Sequence, residues 1–105
     1  MEKFRLLYQI LSFIEKAADQ DEFDADAFSE KHFRVTRNEF LNAIEMLVDA
    51  KYVKGIELRE SVDWRIGMYV TWPKLTLDGL KYLATDEVMI KEAKNAKGFN
   101  VQNLT

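Results

Sequence analysis

The sequence contains no cysteine, one histidine and one proline, and it has no long hydrophobic run. Without cysteine no disulfide can form, which fits a reducing compartment, and a structural zinc site would lack its usual set of about four Cys and His ligands. No stretch approaches the ~18 apolar residues of a membrane-spanning helix, and the N-terminus lacks the features of a signal peptide. We therefore expect a cytoplasmic protein with no membrane association and no cofactor.

Sequence motifs for catalysis are also missing. There is no glycine-rich phosphate loop, dinucleotide-binding fingerprint or nucleophile elbow. The acidic run 19–26 superficially resembles a calcium loop, but Phe23 occupies a position that needs an oxygen ligand and no glycine follows it. The only histidine, His32, is expected to lie in a turn rather than to act as a ligand or base. The sequence thus predicts no metal site, no catalytic residue and no enzymatic activity.

What is present is typical of one small globular domain. The chain has 105 residues, of which 48% are hydrophobic and 31% charged. Its formal net charge is −3, but the segment 19–26 alone contains five carboxylates and no basic residue, so the remainder carries +2. Because the acidity is local, the overall charge does not indicate a class of partner.

Three helices are predicted in the first half of the chain. Residues 2–18 place apolar side chains at steps of three and four, which indicates an amphipathic helix. Asp24 is a suitable N-cap for a short second helix over 25–31. Thr36 and Glu39 then form a capping-box pattern that begins a third helix. Two helices separated by a short turn predict a helix-turn-helix.

A β-hairpin is predicted in the second half. Apolar and polar residues alternate over 53–60 and 66–72, as expected for two antiparallel strands with one buried face. In this pattern Trp72 belongs to the buried set, and Pro73 closes the hairpin.

Two helices are expected after the hairpin. Thr76 caps the first, over 77–84. Its leucines are expected to face inward, namely Leu77, Leu80 and Leu83. The second helix spans 86–97 and is expected to end at Gly98, a natural C-cap residue.

The order of these elements predicts an α+β, mostly helical fold. It is a winged helix-turn-helix, in which the hairpin is the wing, with an additional C-terminal helix. We expect a single domain over 1–98, followed by a flexible C-terminal tail over 99–105.

Two local patterns sharpen this prediction. The first runs from the third helix into the hairpin as Phe40-x-x-Ala43-Ile44-x-x-Leu47-x-x-x-x-Tyr52-Val53-x-Gly55. The second follows the hairpin as Leu75-Thr76-Leu77-x-Gly79-Leu80-x-Tyr82-Leu83. Over about residues 3–97 the chain resembles the YjcQ-like family of small winged-helix proteins from Firmicutes and their phages. The resemblance implies this architecture and a bacterial or phage setting, and it carries no functional residue over to this chain.

Duplex DNA is one expected partner. In a helix-turn-helix the N-terminal residues of the third helix meet base edges, where Arg and Asn side chains can bind guanine and adenine. The candidate DNA-binding residues are Lys31, Arg34, Thr36, Arg37, Asn38, Asn42, Arg59 and Arg65. Against this prediction, the solvent face of the third helix continues into Glu45 and Asp49, and a deficit of basic residues weakens binding to phosphates. On this interpretation the chain is a weak or dimeric transcriptional regulator.

A protein is the alternative partner, because winged helices are often reused for protein interaction. Trp64 is expected beside the hairpin turn, Tyr69 on the strand face opposite the buried set, and Met89 on the apolar side of the last helix. On this interpretation the chain is a phage accessory protein or a DNA-mimic-like inhibitor of a host protein, since an acidic patch imitates phosphate. A homodimer is compatible with either partner.

Overall fold

The first helix, α1 (Glu2–Ala18), contributes more buried side chains to the core than any other described element. The structure is a computed structural model that describes residues 2–60 and 66–104. The buried face of α1 is wide, as its apolar spacing predicts, and includes Leu6, Leu7, Ile10, Leu11 and Ile14. The third helix, the second strand and both C-terminal helices all contact α1, so this helix positions the surfaces described below relative to one another.

The segment after α1 forms turns and one short helix, α2 (Glu30–Phe33). Oδ1 of Asp24 accepts hydrogen bonds from the backbone N–H groups of Asp26 and Ala27, at 3.1 and 3.2 Å. The short second helix is present, but its predicted bounds of 25–31 and its predicted N-cap are wrong, because the Asp24 carboxylate stabilises a local turn instead of a helix start.

Phe28 anchors these turns in the core. The rings of four other phenylalanines lie around it at centroid distances of 5.4 to 6.4 Å, namely Phe13, Phe23, Phe33 and Phe40. His32 lies in α2 and not in a turn as predicted, with its ring edge-on to Phe13 at a centroid distance of 5.3 Å. The aromatic cluster thus holds α2 against α1 without a long hydrophobic helix.

The third helix, α3 (Arg37–Asp49), starts at the predicted capping box. The backbone N–H of Glu39 donates to Oγ1 of Thr36 at 3.1 Å, and the N–H of Thr36 donates to Oε1 of Glu39 at 3.3 Å. Both bonds satisfy N–H groups that have no partner within the helix, so the prediction is confirmed. The inward side of α3 is buried against α1 through residues that include Phe40, Ile44 and Leu47.

The strands β1 (Val53–Glu60) and β2 (Ile66–Leu75) form the predicted antiparallel pair. Ile56 lies opposite Val70, and Lys54 lies opposite Lys74. Between these two pairs one residue of β1, Gly55, faces three residues of β2, which makes a β-bulge.

The bulge shifts the alternation of β2. Pro73 is buried and Leu75 is half-buried, whereas Trp72 is 37% exposed. The predictions that Trp72 belongs to the buried set and that Pro73 closes the hairpin are both wrong, because the irregular register changes which residues face inward. Proline lacks the N–H group that a strand residue donates to its neighbouring strand. It is tolerated here because the bulge interrupts the ladder of hydrogen bonds at this position.

The next helix, α4 (Leu77–Thr85), turns its Gly79 and Leu83 side inward. Leu83 packs against the core, but Leu77 is 67% exposed and Leu80 is also exposed. The predicted inward orientation is therefore wrong for Leu77 and Leu80, because the close approach of Gly79 to the backbone of Tyr52, just before β1, sets the rotation of the helix.

The last helix, α5 (Glu87–Leu104), directly follows Asp86, whose Oδ1 accepts hydrogen bonds from the N–H groups of Val88 and Met89 at 2.9 and 3.2 Å. The helix continues beyond Gly98, so its predicted end at that glycine is wrong. The division of the chain into a domain over 1–98 and a flexible tail over 99–105 stays a prediction. No helix within the described ranges is long and apolar enough to cross a membrane.

Candidate binding surfaces

Three of the predicted DNA-binding residues lie at the surface in and around the turn between α2 and α3, namely Lys31 in α2, Arg34 in the turn and Arg37 at the start of α3. Arg34 is the C-cap of α2, has a φ of 59° in the left-handed region, and directs its backbone N–H to carbonyl oxygens of α2. This conformation turns the chain into α3 and leaves the Arg34 side chain exposed. Nη1 of Arg37 lies 3.8 Å from Oε2 of Glu30, so its charge is partly balanced within the domain.

We define the α3 outer face as the exposed residues of that helix, which are Arg37, Asn38, Glu39, Asn42, Glu45, Met46 and Asp49. Three carboxylates and one guanidinium give this face a formal charge of −2. Asn38 and Asn42 are exposed, as base contacts require, but they share the face with the carboxylates of Glu45 and Asp49. Thr36 is exposed at the start of the helix, and its Oγ1 is engaged in the capping box.

Met46 belongs to this face and was not among the predicted site residues. Its side chain is 46% exposed, which is unusual for a large apolar residue. Asn42, Glu45, Met46 and Asp49 follow a helical spacing of three and four residues, so they form one stripe. The helical spacing alone could have identified Met46, since it falls on the polar side of α3.

A groove of about 610 Å³ lies between the start of α1 and α3. Its lining includes the buried Leu6 and Ala43, and its exposed lining residues include Lys3, Arg5, Arg34, Asn42 and Met46. Lys3 and Arg5 were not predicted as site residues, because only the packing of α1 on α3 brings them near Arg34. Arg5 is in addition 3.9 Å from Glu92, measured from Nε to Oε1.

We define the hairpin outer face as the exposed residues among those strand residues whose side chains the structure describes, which are Lys54, Glu57, Arg59, Tyr69, Thr71, Trp72 and Lys74. Nε and Nη2 of Arg59 donate to the two carboxylate oxygens of Glu57 at 2.8 and 3.0 Å. These hydrogen bonds lower the pKa of Glu57 and raise the pKa of Arg59. The guanidinium carbon of Arg59 also lies 4.8 Å from the ring centre of Tyr69, so this predicted DNA-binding residue is already occupied by two neighbours.

The predicted protein-interaction residues have different positions. Tyr69 is 54% exposed, on the strand face where the alternation places it. Met89 is completely buried, so its assignment to an interaction surface is wrong, because α5 packs this residue into the core that contains α1. Trp64 and Arg65 lie outside the described residues.

The fold and these surfaces define a winged-helix-like domain of the α+β class, with a helix-turn-helix, a β-hairpin and two further helices in that order. The chain matches the family described as YjcQ protein over residues 8–101, and it therefore belongs to that family. No curated protein and no solved structure matches the chain significantly. Among the residues that the structure describes, no group of three or more Asp, Glu, His or Cys side chains is placed to hold a metal ion.

Proposed function

We propose that this chain is a non-enzymatic binding module that docks through the α3 outer face on a basic surface of a partner protein. The charge of the α3 outer face, −2, is the observation that carries the proposal. Helix three of a DNA-binding winged helix enters a groove lined by phosphates, where carboxylates are repelled. A protein surface rich in Lys and Arg is attracted by the same carboxylates.

The stripe of Asn42, Glu45, Met46 and Asp49 has the composition of a docking face. Met46 offers an exposed apolar side chain, and methionine adapts to the shape of a partner because it is unbranched and flexible. Glu45 and Asp49 flank it with negative charge. An apolar contact surrounded by charges gives both affinity and orientation to a helix that lies against a partner.

Charge reversal tests this proposal. The double variant Glu45→Lys with Asp49→Lys changes the outer face without harming α3, since basic residues are favourable near a helix C-terminus. Glu15→Lys with Asp19→Lys is the matched control, because these exposed carboxylates have the same spacing, one in the last turn of α1 and one directly after it.

Each immobilised variant is used to capture proteins from a bacterial extract, and each captured protein is then purified for a binding measurement. We expect a partner that binds the wild type and the control equally, and that binds the Glu45→Lys, Asp49→Lys variant and Met46→Ala at least about tenfold more weakly. If every captured protein binds all these variants equally, the α3 outer face is not the docking surface.

Duplex DNA is the second candidate partner, and the basic residues around the α2–α3 turn favour it. Lys31, Arg34 and Arg37 are exposed there, and the groove adds Lys3 and Arg5 beside Asn42. On this proposal the chain is a transcriptional regulator whose α3 reads base edges through Arg37 and Asn38.

The same charge reversal separates the two candidates because its effect has the opposite sign. If α3 binds DNA, Glu45→Lys with Asp49→Lys strengthens a mobility shift at ~50 mM salt, and Arg37→Ala with Asn38→Ala abolishes it. If the wild type shifts no duplex at that salt concentration, the DNA proposal is rejected.

A further inference from the structure

Two lysines oppose each other on the hairpin outer face. Lys54 and Lys74 are direct cross-strand partners in the register of the sheet, and both are exposed. Like charges in directly opposite positions are destabilising. Among the side chains that the structure describes, which exclude those of residues 2, 60, 66 and 97–104, no carboxylate lies within 4.0 Å of either ammonium group. The pair is thus a concentrated positive charge that an anionic ligand would stabilise.

Two aromatic rings lie on the same side of the hairpin. Trp72 is exposed together with Lys74, since the residue between them, Pro73, is buried. Tyr69 is exposed between Met68 and Val70, which both pack against the core. The bulge therefore creates an arrangement that regular alternation would not, with Trp72 facing solvent beside the lysine pair.

The remaining charges of this face, those of Glu57 and Arg59, cancel each other and leave the charge of the lysine pair unchanged. Glu57 is the only carboxylate among the residues that define this face, and Arg59 binds both of its oxygens. Three basic residues and one carboxylate leave a formal charge of +2, opposite in sign to the α3 outer face.

We propose that the hairpin outer face binds single-stranded nucleic acid, with Lys54 and Lys74 contacting the phosphate backbone and Trp72 stacking on an unpaired base. Basic grooves combined with exposed aromatic rings bind single strands in this way, because every base offers a π face. Bases in a duplex are stacked on one another and expose no such face, so the aromatic contact selects unpaired strands. This site is independent of the α3 outer face and of the partner proposed for it.

The test uses the full chain and a fluorescently labelled oligothymidine of ~12 nucleotides, with binding followed by anisotropy at low salt. Lys54→Gln with Lys74→Gln is expected to weaken binding about tenfold or more and to reduce the salt dependence by about 1.4 in log–log slope, as for two lost phosphate contacts. Lys91→Gln with Lys94→Gln is the matched control, since both lysines are exposed on α5. Equal affinity for both double variants would overturn the proposal.

Stacking has its own readout. The chain has two tryptophans, so a Trp64→Phe background leaves Trp72 as the only one. We expect the oligonucleotide to quench Trp72 fluorescence, Trp72→Ala to weaken binding, and Trp72→Phe to restore most of the affinity. If the oligonucleotide does not quench Trp72 fluorescence, the stacking contact is contradicted. The selectivity for single strands is contradicted if a duplex of the same length, or an oligoglutamate peptide, competes with oligothymidine equally well.

The α3 variant distinguishes this site from the proposed function. Glu45→Lys with Asp49→Lys is expected to leave the quenching of Trp72 by oligothymidine in place, whatever its effect on a protein partner. Loss of that quenching would assign the binding to α3 and overturn the hairpin site.

Discussion

Gly79 packs directly on the backbone of Tyr52. A Cβ atom at position 79 would overlap the Tyr52 carbonyl oxygen and lie 2.8 Å from the carbonyl carbon. The same carbonyl oxygen accepts a hydrogen bond from the N–H of Thr76 at 3.0 Å, and Oγ1 of Thr76 donates to the carbonyl of Lys51 at 2.6 Å. The start of α4 is therefore joined to the chain segment between α3 and β1, and this joint requires glycine.

Gly79→Ala is expected to destabilise the domain. Alanine is favoured over glycine within a helix by about 1 kcal/mol, so helix propensity alone predicts stabilisation. Overlap with the Tyr52 backbone reverses the sign, and we expect a loss of about 1–3 kcal/mol in the free energy of unfolding, measured in urea. Gly67→Ala is the control, because the atom nearest to a Cβ there belongs to the Tyr69 side chain and lies 3.4 Å away, at ordinary contact distance. A stabilised Gly79→Ala variant would contradict the close contact.

This joint shows where prediction from the sequence succeeds and where it stops. Thr76 was predicted as a cap because the pattern is local, and its Oγ1 does accept the N–H of Gly79 at 3.1 Å. The contact of Gly79 with Tyr52 joins elements that no local pattern relates. It also sets the rotation of α4, which is why the orientation of Leu77 and Leu80 could not be predicted.

Gly55→Ala is expected to disrupt the hairpin. Gly55 has a φ of 82°, where a side chain costs about 1–2 kcal/mol, and a Cβ atom there would overlap the Trp72 carbonyl oxygen. We expect a loss of at least about 2 kcal/mol in urea unfolding together with altered amide chemical shifts in both strands. Thr71→Val is a milder probe of the same bulge, since it removes only the hydrogen bond from Oγ1 to the Gly55 carbonyl. Unchanged strand shifts in Gly55→Ala would argue against the bulge.

The bulge also explains why the hairpin site could not be predicted. The alternation in the sequence correctly places Tyr69 on the outer face. Trp72 is assigned to the wrong face by the same rule, and the opposition of Lys54 and Lys74 depends on the shifted register. By contrast, the acidic stripe of α3 follows from helical spacing within one element, which is why Glu45 and Asp49 could be placed from the sequence.

Thr36→Ala is expected to weaken the start of α3. The substitution removes the oxygen that accepts the Glu39 N–H, and the loss of such a cap costs about 1 kcal/mol. Thr36→Ser retains that oxygen and is expected to unfold at nearly the wild-type urea concentration. If Thr36→Ser is as destabilised as Thr36→Ala, the methyl group and not the capping hydroxyl is responsible.

Tyr82 connects stability to alkaline pH. Burial raises its pKa above the ordinary value of 10.0, and the neighbouring Asp86 charge and Tyr52 act in the same direction. The folded state therefore resists ionisation of the phenol. The stability that the neutral phenol contributes is fully present below the pKa of Tyr82 in the unfolded chain, and it is lost as the pH rises through the pKa of Tyr82 in the folded state. We expect Tyr82→Phe to unfold less readily than the wild type as the pH rises above about 10, relative to their difference at neutral pH. Parallel stability curves for the two proteins would contradict this role.

Glu57 connects the charge of the hairpin outer face to acidic pH. The hydrogen bonds from Arg59, and to a smaller extent its charge, lower the pKa of Glu57 below 4.5. The stability that this pair contributes is therefore present above the pKa of Glu57 in the unfolded chain, and it is lost as the pH falls through the pKa of Glu57 in the folded state. Protonation also releases Arg59 and raises the formal charge of the face from +2 to +3. We therefore expect the chain to bind oligothymidine more tightly below the pKa of Glu57 in the folded state. Glu57→Gln is expected to bind it more tightly already at neutral pH, with Glu15→Gln as the control.

An NMR titration should show the low pKa of Glu57 returning to its ordinary value in Arg59→Gln. A Glu57 pKa that is unchanged by this substitution would exclude the ion pair as the cause of the shift.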